Sequence, residues 1–352
     1  METTTEQPRS NKTGLWIGLG VLLVLGILGF FGWQKYSAAA QKAATRNPVV
    51  PAFSADGRLL AVSVDKRTEL FDGSAYSARL TLPEAAGGTE TATLFSPDGQ
   101  ALQVNHGVWD STSGSPRYSL GKLEAFRAAY TADGSRLGVF SFDGLYIFDA
   151  ATGEQITHLE TASGCSCQTA VAFGADGQAI SAAIDGVKIW DIASGTVLSQ
   201  WKREGFSNGL ALSPDGKTVA ISEGTAVQLY DTASGQKLLD FETAPGAVNL
   251  LVFSADGSRL AGDSASIAAG ANNTGGANNT GGANGGAAVC DVASGKLLAS
   301  LPVPARIAGL SFTADASRLA VGAYDGKVRV FDAAGALLHT LDFTDWNALL
   351  FK

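Results

Sequence analysis

Histidine and cysteine are the side chains most often recruited for acid–base, nucleophilic and metal chemistry. This chain has three of each: His106, His158 and His339, and Cys165, Cys167 and Cys290. The histidines fall in different repeats of the pattern described below, so neither a Ser-His-Asp triad nor a His-built metal cluster is supported. Cys165-Ser166-Cys167 is too short for the C-x-x-C spacing of metal and redox sites. Three thiols do not make a disulfide framework. They are read as small strand or loop residues, with a local disulfide or a metal contact as the alternative. No G-x-S-x-G, H-E-x-x-H or phosphate-binding loop occurs. The sequence therefore assigns no catalytic residue, no metal ligand and no cofactor.

Aspartate is the chemical group with regular spacing. One series sits in Asp-Gly turns: Asp56, Asp98, Asp133, Asp176, Asp215 and Asp256, with Asp315-Ala316 as a degenerate seventh. Successive positions differ by 42, 35, 43, 39, 41 and 59. A second series follows an aromatic residue: Phe71-Asp72, Trp109-Asp110, Phe148-Asp149, Trp190-Asp191, Tyr230-Asp231 and Phe331-Asp332, with Cys290-Asp291 as its sixth copy. Its intervals are 38, 39, 42, 40, 60 and 41. Asp tolerates turn conformations and accepts hydrogen bonds from nearby backbone, so both series are read as turn caps, with calcium ligation as the alternative.

Both series stretch at the same place, and one insertion in the sixth repeat explains both. Residues 270–287 read GANNTGGANNTGGANGGA. This tract cannot bury itself and is expected to be a flexible loop. Its N-x-T sequons at Asn272 and Asn278 are read as incidental to the repetition.

The elements that position these turns are strands. Hydrophobic residues alternate with period two in 217–222, 226–231 and 236–241, each stretch bounded by turn residues. With the segment before the Asp-Gly turn, each repeat holds four strands. A four-stranded unit of about 40 residues cannot cover both of its faces alone, whereas stacking such units around an axis does. The predicted fold is all-β: a seven-bladed β-propeller over residues 47–352. Residues 49–53 and 346–351 both read as an innermost strand, one more than seven blades need. The preferred closure places the C-terminal strand in the N-terminal blade.

The pattern FSPDG, strand, DG, aromatic-Asp, SG, LL resembles the WD40 repeat family across about residues 48–345. The nearest stretches are 183–191 (AIDGVKIWD) and 323–332 (AYDGKVRVFD). No repeat opens with the family's Gly-His dipeptide, so its His-centred hydrogen-bond tetrad is not expected. The resemblance is to divergent, bacterial-type members. It implies a non-catalytic scaffold that binds a protein or peptide. The Asp-x-Ala-Ser-Gly-x-x-Leu turns also resemble quinoprotein repeats, without their regular tryptophans. A lactonase- or quinoprotein-type enzyme is therefore one alternative, and an envelope sensor or assembly factor is another.

Residues 14–33 carry no charge and are rich in Leu, Ile, Val, Gly and Phe. As a helix they would span about 30 Å, the hydrocarbon thickness of a bilayer. The expectation is a tail (1–13), a transmembrane helix (14–33) and a stalk (34–46), with a cleaved signal peptide as the rival. Gly14 and Gly18 form a G-x-x-x-G that would let two helices approach closely. The propeller is expected on the extracytoplasmic side of a single-pass anchor. Net charge is −8. Residues 1–46 hold five bases and two acids, which leaves 20 bases and 31 acids in the remainder. Such an acidic domain repels phosphate backbones, so nucleic acid is not an expected partner.

In a propeller meander both Asp turns fall on one face. Connections between blades and second-to-third strand loops fall on the other, and here they vary: 65–67, 83–90, 160–168, 202–208 and 302–306. Variable loops on a rigid scaffold carry binding specificity, and aromatic and Arg side chains dominate contact hot spots. The expected partner contacts are Lys66, Arg67, Phe142, Trp201, Arg203, Phe206, Arg306, Tyr324 and Trp346.

Overall fold

The computed structural model describes residues 48–64, 67–82, 92–123, 125–161, 170–174, 177–183, 186–202, 209–223, 226–241, 248–264 and 285–344. The chain divides into two units, Met1–Arg46 and Asn47–Lys352, and the first lies outside the described residues. So does the expected transmembrane segment 14–33. Among the described residues no helix is long and apolar enough to cross a membrane.

The described residues form seven antiparallel sheets of four strands, each sheet built from four consecutive strands. The blades span residues 49–81, 93–119, 127–160, 170–201, 209–240, 251–303 and 307–342. The first strand of each blade contacts the first strand of the next, and that of blade 7 contacts that of blade 1. The ring is therefore closed with seven blades, as the two Asp series predict.

The fourth strand is the most exposed of each blade. The second strand of blade 7, Arg318–Ala323, is buried from Leu319 on. The fourth strand of blade 1, Ala78–Thr81, is largely exposed. Inner strands are sandwiched between neighbouring blades, so the core consists of seams. One apolar cluster joins Val49, Leu60 and Phe71 of blade 1 to Ala320, Val328 and Val330 of blade 7. No blade covers these surfaces alone, which is why the sheets must stack.

Among the described residues both Asp series act inside their own turns; Asp176 lies outside them. Asp56 Oδ1 accepts the Ser54 hydroxyl at 2.7 Å and the Arg58 N–H at 3.0 Å. The same bonds recur about Asp98, Asp256 and Asp315. Asp191 Oδ1 accepts the Ser194 N–H at 2.7 Å and its hydroxyl at 2.6 Å. In the equivalent turn of blade 5, headed by Asp231, Gly235 has φ 70°, and an added Cβ there would meet the Trp201 ring of the preceding blade at 2.8 Å. The turn thus needs glycine for both its left-handed backbone and the close approach of its neighbour.

The third and fourth strands slip by one residue in every blade. The extra residue runs from Arg79 in blade 1 to Leu338 in blade 7 at one repeated position. Such a bulge interrupts the hydrogen-bonding row of an edge strand.

Two expectations are corrected. The innermost strand of blade 1 is Val49–Phe53, not a C-terminal strand. Residues 346–351 lie outside the described residues. Closure comes from side chains and close backbone packing instead. Arg318 donates to the Gly57 carbonyl at 2.9 Å and to the Gly73 carbonyl, both in turns of blade 1. Its guanidinium lies 5.1 Å from the centroid of the Phe53 ring. The Phe53 N–H donates to Ser311 Oγ at 2.8 Å. Gly322 faces Val49, where any Cβ would overlap the Val49 carbonyl oxygen. The second correction is the end of the insertion. Gly285, Gly286 and Ala287 belong to the third strand of blade 6, with Ala287 paired to Asp263. Their backbone groups are taken up by the sheet, and Ala287 is fully buried.

Candidate functional site

The first-to-second and third-to-fourth turns of a meander share one end of the sheet, and the second-to-third loops and blade connections share the other. The loop face is therefore built from the ends of inner strands, with the Asp turns on the opposite face.

In blade 3 the loop is Phe142-Asp143-Gly144. Phe142 is 55% exposed, and it meets Phe126 edge-on at 4.5 Å between ring centroids. Asp143 Oδ2 accepts the Tyr146 hydroxyl at 2.6 Å. That bond, followed by burial and the Asp143 charge, pushes the Tyr146 phenol up to about 12. Tyr146 stacks on His158 at 4.1 Å, and His158 Nε2 lies 3.3 Å from the Asp143 carbonyl oxygen. The exposed ring is thus held by a buttressed loop, which lowers the ordering cost of a contact made there.

Blade 7 repeats this arrangement with other chemistry. Tyr324-Asp325-Gly326 occupies the place of Phe142-Asp143-Gly144. The Arg306 guanidinium lies 4.8 Å from the Tyr324 ring centroid, and the Tyr324 N–H donates to the Arg306 carbonyl at 2.9 Å. Asp325 pairs with Arg329 at 2.6 Å, side chains 19% and 10% exposed. A buried pair of this kind holds its loop because neither charge can be left alone.

Arg306 also acts on blade 6. Asp263 accepts the Asn249 and Leu250 N–H groups, each at 2.6 Å, and the Asn249 amide at 3.3 Å. Burial pushes its carboxyl above the usual range, against those bonds and the Arg306 charge.

The structure brings Arg306 and Tyr324 together and leaves Phe142 standing free of the core. Arg67 opens the third strand of blade 1, paired with Val64 at the loop-face end and half-buried. Trp201 lies in a seam: its indole N–H donates to the Thr232 carbonyl at 2.9 Å, and its ring is 5.7 Å from Tyr230. Lys66, Arg203, Phe206 and Trp346 lie outside the described residues. Sequence reasoning missed Phe126, Asp143, Tyr146 and Asp325. The shared aromatic-Asp-Gly of 142–144 and 324–326 was the available signal.

Among the described residues no three His, Cys, Asp or Glu side chains gather where they could hold a metal. The loop face presents aromatic rings, guanidinium groups and hydrogen-bonded carboxylates, a set suited to recognition.

The family model "WD domain, G-beta repeat" of WD40 matches residues 295–332. The match starts beside the fourth strand of blade 6 and ends at the aromatic-Asp turn of blade 7. With the seven-bladed ring it supports a WD40-like propeller. The chain is also similar to "Telomerase protein component 1" of Rattus norvegicus, 29% identical over 137 residues, 38% of this chain. The protein of that name from Mus musculus is 28% identical over 137 residues. The chain spans 5% of the length of each of these curated relatives.

Proposed function

We propose that this chain is a membrane-anchored, non-catalytic WD40-like scaffold that binds a protein or peptide through its loop face. The observation that carries this reading is Phe142: a large apolar ring, 55% exposed and braced by Phe126, at the loop-face end of an inner blade edge. Tyr324 and Arg306 supply a second contact of the type that dominates hot spots. The relatives are named as a protein component of telomerase, and the shared stretch is a small part of them. The acid excess of residues 47–352 speaks for a protein rather than a nucleic acid as the partner. Residues 14–33 supply the anchor, the propeller lies on the extracytoplasmic side, and the repeats belong to the divergent type without the His tetrad.

Quantitative co-purification from membranes, comparing wild type with Phe142→Asp and Arg306→Ala, tests the reading. Loss of one partner is expected in both variants, with an unchanged melting temperature in Phe142→Asp; an unchanged partner set in both variants rejects the loop face. Protease accessibility in intact cells checks the side of the membrane.

A further inference from the structure

The bulged residue of the fourth strand is a large exposed apolar side chain in five of the seven blades. In blades 3–7 it is Ile156, Leu198, Leu238, Leu298 and Leu338, exposed by 45, 54, 56, 47 and 49%. In blades 1 and 2 the same position holds Arg79 and Arg117. Among the described residues every exposed large apolar side chain except Phe142 lies on these fourth strands. The exposed apolar surface is therefore repeated at one position on the rim of five consecutive blades, and exposed apolar surface of this kind marks interaction sites.

We propose that the rim of blades 3–7 is a second docking surface, separate from the loop face, and that its occupant is a cationic amphipathic helix. Two observations select that occupant. The bulge breaks the edge at its apolar residue, so an added β-strand cannot run in register past it. Recognition must then go through side chains, as it does for an apolar helix stripe. Beside each bulge stands the Asp that heads the turn: Asp149, Asp191, Asp231, Asp291 or Asp332. Hydrogen bonds hold four of these carboxyls below the usual range: from the Thr152 N–H to Asp149, and from the Ser194, Ser234 and Ser294 hydroxyls to Asp191, Asp231 and Asp291. They are anionic at neutral pH. Lys237, paired with Asp240 at 2.9 Å, and Lys296 also stand there, but the carboxylates outnumber them. An apolar rim with this acid excess is complementary to leucines flanked by lysines, and it repels both anionic lipid and a second identical rim.

The test uses the full chain in uncharged nanodiscs, with empty discs as the blank, and a fluorescent helical peptide carrying leucines at i, i+3 and i+4 spacing between lysines. Anisotropy should show binding that weakens at least about tenfold in the Leu198→Asp/Leu238→Asp/Leu298→Asp variant and in its all-Ser counterpart. Phe142→Asp should leave it unchanged, and a scrambled peptide of equal composition should bind at least about tenfold more weakly. Equal binding by the rim variants, or by the scrambled peptide, overturns the proposal. Leucine-dependent recruitment to anionic vesicles would assign the rim to lipid, and leucine-dependent self-association in sedimentation velocity would assign it to a second copy. Either result also overturns it.

Discussion

Tyr76 and His339 stack face to face across the seam between the first and last blades, ring centroids 4.5 Å apart and planes 11° from parallel. In blades 2–6 the turn position of Tyr76 is held by glycine, from Gly114 to Gly295. The preceding blade lays a fourth-strand side chain on that glycine, Leu80 on Gly114 and Leu239 on Gly295. At the closing seam the glycine is a tyrosine at φ 54°, and His339 holds the register position of Leu80 and Leu239. The ring thus closes on an aromatic pair where the other seams use a side chain against bare backbone.

Removing the closing contacts should cost more than removing equivalent exposed groups. His339→Ala is expected to lower unfolding free energy by about 1 kcal/mol, the size of an aromatic pair. Arg318→Ala should lower it by about 2–3 kcal/mol, because two blade 1 carbonyls lose a charged donor. Arg58→Ala, on a side chain 84% exposed, should stay within about 0.5 kcal/mol. Urea denaturation checks all three, and an Arg318→Ala loss no larger than that of Arg58→Ala would refute closure through the arginine.

Gly322→Ala should destabilise by about 2–3 kcal/mol, since its Cβ has nowhere to go but into the backbone of Val49. Gly121→Ala meets open space at φ 80° and should cost only the left-handed strain, about 1 kcal/mol. Equal losses at the two sites would show that blade 7 does not approach Val49 closely.

Trp201→Phe should cost about 1 kcal/mol through the lost bond to Thr232. Partner capture should be unchanged, because the indole lies in the seam of blades 4 and 5. Thermal denaturation beside co-purification separates the two effects. Loss of the partner at unchanged stability would return Trp201 to the binding surface.

Stability should fall in acid. The carboxyls of Asp72 (by the Ala75 N–H), Asp133 (by the Thr131 hydroxyl), Asp315 (by the Thr313 hydroxyl) and Asp342 (by the Lys327 ammonium) are held down to about 2. In the unfolded chain an Asp titrates near about 3.9. The unfolded state therefore binds more protons between these values, and the stabilisation, complete above about pH 5, is lost as pH falls toward about 2. Burial pushes Glu69 and Asp263 the other way, so their opposition eases earlier in the acidification, as pH falls through their raised values toward the ordinary carboxylate range. The larger set decides the sign. Melting temperatures should be flat near neutrality and drop below about pH 4, with a shallower drop in Asp133→Asn. A melting temperature that rises on acidification would contradict this.

Much of the fold is legible because its signals are local. Ser54, Asp56 and Arg58 bond one another within a single turn, so spacing alone counted the blades. The aromatic-Asp turns are equally self-contained, as Asp191 and Ser194 show. The candidate site was half legible. Phe142 and Tyr324 could be named from residue type and loop position. Trp201 could not be placed, because the same aromatic serves as well in a seam as on a face.

What the amino-acid order settled by itself is the repeat: seven four-stranded units, their turns, and the face on which variable loops gather. These follow from bonds between residues a few positions apart. Only the tertiary structure decided how the ring closes, which strand lies innermost in blade 1, and which aromatics face solvent. Those choices join groups far apart in the chain, such as Arg318 and Gly57, 261 positions away. They depend on where the ring brings the last blade against the first, a relation that no local pattern encodes.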